Sequence, residues 1–201
     1  MALGNSMDRI QIVEAYGDWR PPISAKRAVS RLLESIPDRY LAGLGVVVLS
    51  RAGGLSHGRR RAKTGRRKRK VRIASALGLY HQAWRGQAAA IELFVDNIMD
   101  TRLSVLLRIP IFGDFAIGRA LFHEVGHHIH KTQAPEFRER EDVAEVWSER
   151  LYRAYFQRRY WYLMPMLRLL VTLLRLVGIL PSRPRASGGA PSNNALERTR
   201  A

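Results

Sequence analysis

The sequence predicts an α+β fold, a small, mostly antiparallel sheet packed on a histidine-bearing helix and a following glutamate-bearing helix. Three observations predict it. Two apolar runs, 75–83 and 89–98, flank Trp84-Arg85-Gly86-Gln87, whose glycine suits a hairpin turn. Residues 114–131 then place apolar side chains at helical spacing, and residues 137–160 do so again through Val143, Val146, Leu151 and Ala154.

Taken in order, the N-terminal stretch lacks a basic region followed by an apolar one, so export is not indicated and cytoplasmic residence is expected. Residues 24–35 carry Ala28, Leu32 and Leu33 at helical spacing, with Ser24 as a candidate N-cap and Pro37 just past the end. Residues 41–50 (LAGLGVVVLS) are rich in β-branched side chains and read as a buried strand. The run 59–70 (RRRAKTGRRKRK) reads as a basic flexible loop.

In 89–98, Ile91, Leu93 and Val95 alternate with Glu92, Phe94 and Asp96, which gives the strand one aliphatic face to set against helices. Asp114 is available as N-cap of the helix 114–131. Ala134-Pro135-Glu136 breaks that helix before the next begins. Residues 161–180 form an apolar, amphipathic C-terminal helix, and 181–201, rich in Pro, Ser, Gly and Arg, form a disordered tail.

Composition sets the bounds of the chemistry. A chain of 201 residues has the length of one domain, and its 46% hydrophobic and 25% charged residues are those of a folding globular chain. The absence of cysteine excludes disulfides and thiolate chemistry, leaving His, Asp and Glu as metal ligands. The net charge of +17 is unevenly placed. Residues 59–70 hold nine basic side chains and no acidic one, and 151–201 hold nine arginines against Glu197. The rest of the chain is balanced, with 16 basic and 16 acidic side chains, so the basicity concerns partners or location and not the fold.

His123-Glu124-Val125-Gly126-His127 is an HExxH sequence. Residues i and i+4 share a helix face, so both imidazoles can reach one zinc ion, and Glu124 stands beside them to act as general base. A merely histidine-rich helix end, with His127, His128 and His130 near a C-terminal dipole, is the plain alternative. Two histidines bind zinc weakly. A third ligand is needed, and the next helix offers Glu139, Glu141, Asp142, Glu145 and Glu149.

The segment 122–130 (FHEVGHHIH), followed by Glu141-Asp142-Val143-Ala144-Glu145, resembles the gluzincin pattern HExxH…ExxA(D/E) and is similar to compact ImmA/IrrE-type metalloproteases. The resemblance spans about 79–151. It implies a zincin-like metalloprotease domain over 1–160, with His123, His127 and Glu141 as zinc ligands and Glu124 as general base. It also implies Glu145 as a carboxylate orienting a ligand histidine, and small Ala144 where two helices approach closely. Only thirteen residues separate His127 from Glu141, so the chain must reverse tightly. The metzincin pattern does not fit, because its glycine and third histidine positions hold His130 and Gln133. A residue to stabilise a developing oxyanion is not selected among Tyr80, His81, Tyr152 and Tyr155.

Two appended features bear on partners. The basic run has no interleaved aromatics, so nucleic-acid binding through it would be phosphate-driven and non-specific, whereas an anionic membrane surface attracts such runs. Tyr160-Trp161-Tyr162 precedes an apolar stretch punctuated by Arg168 and Arg175, the pattern of a helix lying in the membrane interface. The expectation is a zinc metallopeptidase acting on peptide or protein substrates, cytoplasmic and peripherally membrane-associated. A zinc-stabilised adaptor and a DNA-associated protease are the rival expectations. The edge of the sheet at 89–98 is the expected docking strand for an extended substrate.

Overall fold

The computed structural model describes residues 10–64, 71–100, 107–133, 141–163, 165 and 169. The chain divides into two units, Met1–Tyr160 and Trp161–Ala201, and the candidate site lies in the first.

The first unit is α+β. Its sheet has the order β1-β2-β6-β5, formed by β1 (Gln11–Ala15), β2 (Leu44–Ser50), β5 (Gly78–His81) and β6 (Ala89–Phe94). A two-residue ladder, β3 (Lys63–Thr64) with β4 (Val71–Arg72), stands apart from it. The expectation of a mostly antiparallel sheet is corrected: β1 pairs parallel with β2 and β2 parallel with β6, and only β5 and β6 run antiparallel. The cause is a strand hidden near the N-terminus. Gln11–Ala15 reaches β2 through α1 (Ala25–Leu33) and α2 (Asp38–Leu41), and a crossover through helices makes the two strands parallel. The strand expected over 41–50 begins only at Leu44, because α2 takes residue 41.

The hairpin at 84–87 forms. Trp84 and Gln87 exchange both backbone hydrogen bonds, at 3.2 and 2.9 Å, and Arg85 (φ 47°) and Gly86 (φ 81°) are both left-handed, as a type I′ turn requires. The strand 89–98 stops at Phe94, and Val95–Met99 is a short helix, α4. Asp96 explains the change. Its carboxylate accepts from the N–H groups of Ala52 and Gly53 at 2.8 and 2.9 Å, a bond that a continued strand would not make. The expected edge position is corrected too: β6 is central, between β2 and β5, and β5 is the edge strand that lies against the histidine helix.

The start of the basic run is helical. Arg59 to Arg61 belong to α3 (His57–Arg61), and Arg59 pairs with buried Glu92 of β6, so these three residues are not loop. Residues 65–70 lie outside the described residues, as do 134–140, with the break expected at 134–136 and the candidate Glu139, most of the apolar stretch 163–180, and 181–201. Among the described residues no helix is long and apolar enough to cross a membrane.

Helix α5 (Pro110–Gln133) is the spine of the domain, packed on α1, on β5 and β6, and along α6 (Glu141–Arg159). Pro110 opens it, at the first helical position where a missing N–H costs nothing. Asp114, expected as N-cap, is corrected to an interior residue and is fully buried. Its Oδ1 accepts from Arg31 of α1 at 2.5 Å, and its Oδ2 accepts from the Tyr155 hydroxyl at 2.5 Å and the Tyr160 hydroxyl at 2.8 Å. One carboxylate thus ties three elements together, its charge balanced by a guanidinium and its lone pairs used.

Candidate metal centre

His123 and His127 project from one face of α5, one turn apart, and Glu141 opens α6 opposite them. The two Nε2 atoms are 3.2 Å apart, with the rings nearly perpendicular at 89°. Glu141 Oε1 lies 3.0 Å from His123 Nε2, and Oε2 lies 3.8 Å from His127 Nε2. One donor atom from each residue falls within 4.8 Å of the others. Four ligands placed tetrahedrally around zinc at about 2.0–2.1 Å stand about 3.3 Å apart; the 3.0 and 3.2 Å separations are close to this, and the carboxylate's 3.8 Å to His127 is longer. The donor set, two imidazole nitrogens and one carboxylate oxygen without a thiolate, suits zinc or another first-row divalent ion.

The backbone brings the two helices this close at one point. A Cβ on Gly126 would lie 2.4 Å from the Ala144 carbonyl oxygen, so only hydrogen on Gly126 admits α6 at its observed depth. Ala144, fully buried three residues after Glu141, supplies the other small side of the crossing. The cluster is open to solvent on one side. The Glu141 side chain is 65% exposed and His123 32%, whereas His127 is 9% exposed.

Glu124 is buried, and its carboxyl group rests against Gly78 of the edge strand. A Cβ at position 78 would stand 2.8 Å from Glu124 Cγ and 2.9 Å from its Oε1. Gly78 is therefore what admits the carboxylate between α5 and β5. Glu145 lies one turn beyond Glu141 and is exposed, and among the described residues no hydrogen bond or ion pair joins it to His123 or His127. The structure brings His123, His127 and Glu141 together and leaves Glu145 outside.

The remaining histidines divide by face. His128 is fully buried, with Nε2 3.1 Å from the Ala42 carbonyl oxygen and Nδ1 3.2 Å from the Tyr80 hydroxyl. The carbonyl can only accept, so Nε2 carries the proton and Nδ1 accepts from Tyr80. Burial lowers the pKa of His128, in keeping with this neutral form, although the bond to Ala42 works the other way. His130 is buried and outside the donor cluster.

Tyr80 and Gly78 face α5, so the alternation of β5 turns Leu79 and His81 to the other face of the sheet. There Leu79 packs with Phe94, Ala52 and Ala76, and His81 Nε2 lies 3.4 Å from Glu92 Oε2. Burial raises the Glu92 pKa, and the bonds from His81 and Arg59 more than reverse it, so the carboxyl titrates below its ordinary value. Of the four groups considered for an oxyanion, His81 is engaged by Glu92, Tyr155 by Asp114 and Tyr80 by His128. Tyr152 is part-buried on α6, where desolvation raises its pKa.

Sequence reasoning passed over Gly78, Gly126 and the contacts of His128 with Ala42 and Tyr80, and it read Asp114 as a cap and not as a buried anchor. A glycine two residues before Tyr80 in a short apolar run is a weak local signal of close approach, and it was the one available. Comparison of the chain with protein-family models, with characterised proteins and with solved structures gives no match.

Proposed function

We propose that the chain is a zinc-dependent metallopeptidase that hydrolyses peptide bonds in peptide or protein substrates. The observation that carries the reading is the convergence of His123 Nε2, His127 Nε2 and the Glu141 carboxylate within 4.8 Å, with Glu124 next in sequence and buried against β5. Three protein donors on a tetrahedral ion leave a fourth position, the pattern of catalytic sites; structural sites close all four. Zinc, when bound, polarises a carbonyl and acidifies water.

The protein's own groups supply the rest. Glu124 accepts a proton from the attacking water on a carboxylate oxygen and delivers it to the leaving amine nitrogen. Gly78 keeps the space in which that carboxylate sits. Among the described residues the outer edge of β5 has no partner strand, so an extended substrate adds there through main-chain hydrogen bonds, beside α5.

Glu124→Gln tests the reading. Purified wild type is expected to carry one zinc per chain and to cleave casein, and the Glu124→Gln protein to retain zinc and lose cleavage. Zinc in both proteins with cleavage in neither would point to the adaptor, and no metal in either, even after zinc addition, would remove the centre itself.

A further inference from the structure

Two contacts fix how β5 lies along α5. Gly78 rests against Glu124, and the Tyr80 hydroxyl bonds His128, so two residues of strand advance with four of helix. Two strand residues cover about 6.6 Å and four helical residues about 6 Å, so β5 and α5 run side by side in the same direction. A chain that adds to the outer edge of β5 therefore runs along α5 as well. Each pair of its extended residues carries it about one helical turn past the donors.

Arg119 stands one turn before His123 on the same helix face. Before His123, α5 carries two charged residues, Asp114 and Arg119. Asp114 is buried and bonded to Arg31, Tyr155 and Tyr160, so Arg119 is the charge that this half of α5 offers to a passing chain. Its neighbour is Tyr152 of α6, whose hydroxyl feels the guanidinium charge working against the larger effect of burial. Tyr152 and Glu141 lie about three turns apart on one face of α6, so Arg119 looks into the groove that holds the donors. Arg119 is exposed, and among the described residues no carboxylate pairs with it. Of the acids on α6, Glu141 faces His123 and Glu149 pairs with Arg153.

A guanidinium matches a carboxylate in charge and in its paired hydrogen-bond geometry. On an extended chain, the residue two along from the bond over the donors faces the same way as the residue at that bond, and it arrives one turn along α5, at Arg119. We propose that Arg119 is a specificity-determining residue that binds a substrate carboxylate about two residues from the scissile bond, supplied by an acidic side chain or by the substrate's own C-terminus. This inference rests on the metallopeptidase reading and names the substrates of that same site.

Full-length, zinc-loaded protein is given an amidated peptide library of degenerate sequence, and the cleaved bonds are located by mass spectrometry. Wild type is expected to enrich Asp and Glu over Asn and Gln about tenfold at one position two residues from the cleaved bond, the size of one charge-assisted hydrogen bond. Arg119→Gln is expected to flatten that position and Arg119→Glu to transfer it to Lys and Arg, both at wild-type zinc content. The pair Arg60→Gln with Arg61→Gln, on α3, is expected to keep the acidic preference, since net charge selects no position. A library with free C-termini separates the two sources: release of dipeptides that amidation prevents would assign the terminal carboxylate. Neither acidic enrichment nor dipeptide release in wild type, or a preference that survives Arg119→Glu, would overturn the proposal. Zinc-loaded wild type that cleaves neither library would remove the peptidase reading, and binding then reads Arg119 separately. On the Glu124→Gln protein, a labelled Glu-rich peptide pool is expected to bind about tenfold tighter than its Gln-rich counterpart, with most of that difference lost when Arg119→Gln is added. A difference that Arg119→Gln leaves intact would overturn Arg119 as the carboxylate's partner.

Discussion

Gly126 and Ala144 bring the backbones of α5 and α6 into contact, with the Ala144 carbonyl oxygen 2.4 Å from where a Gly126 Cβ would stand. The crossing sits one residue before His127 and three after Glu141, so it sets the distance between the donors of the two helices. A methyl group there meets backbone and cannot be rotated away. Gly126→Ala is expected to destabilise the protein by about 1–3 kcal/mol, as overpacking does. It should also weaken zinc by more than about tenfold through displacement of Glu141. Thermal denaturation and chelator competition read the two effects.

Gly78 makes a separable prediction. Its missing side chain leaves room for Glu124, which is not one of the three donors of the cluster. Gly78→Ala is expected to retain zinc at wild-type stoichiometry and to lose at least about tenfold in casein cleavage, the loss falling on kcat. Loss of zinc together with activity would mean that the clash is relieved by moving α5, not Glu124.

Glu141 and Glu145 are distinguished by their surroundings. Glu141 lies 3.0 Å from His123 Nε2, and Glu145 touches neither histidine among the described residues. Glu141→Gln is expected to remove most zinc affinity. Glu145→Gln is expected to stay within about threefold of wild type, below the 10- to 100-fold that loss of an orienting partner typically costs. A greater loss in Glu145→Gln would exchange the two roles.

Glu92 predicts a pH dependence unconnected with the metal. Its carboxyl titrates below the ordinary 4.5 in the folded protein, because bonds from His81 and Arg59 outweigh the effect of burial. The unfolded chain therefore takes up this proton first as the pH falls. The stabilisation is complete above about pH 4.5 and is lost as the pH drops through the folded value. Glu92→Gln is expected to be less stable at neutral pH by about 1.5–3 kcal/mol and to show a flatter acid limb in urea denaturation.

Much of this architecture was legible in the sequence where spacing is local. The hairpin turn, the α5 periodicity and the His123/His127 stripe rest on residues within one or two turns of each other, and they lie as the spacing predicts. The α+β class followed from them. What was illegible depends on distant partners. Gln11–Ala15 offers only Ile12 and Val13 as a β-branched signal, too short to mark a strand alone, and it is a strand because Val46 to Ser50 lie beside it. Asp114 looks like any capping aspartate until Arg31, 83 residues earlier, and Tyr155, 41 later, close around it. The parallel pairing of β2 with β6 follows from a crossover whose path no local signal fixes. At the site, resemblance pointed to Glu141 among several acidic side chains, and the geometry groups that residue with the histidines, while nothing in the spacing marked Gly78 as the floor beneath Glu124.

The three donors also come from a short span of chain, residues 123 to 141. Closing so small a loop costs little chain entropy, whereas joining β2 to β6 requires a closure of about forty residues. The consequence is one of timing. The helical hairpin that bears the donors has low contact order, so its geometry is expected to form before the parallel strands find their register and wall in Glu124. Pulse-labelled hydrogen exchange during refolding is expected to protect the amides of α5 and α6 before those of β2 and β6, and the reverse order would mean that the sheet templates the site.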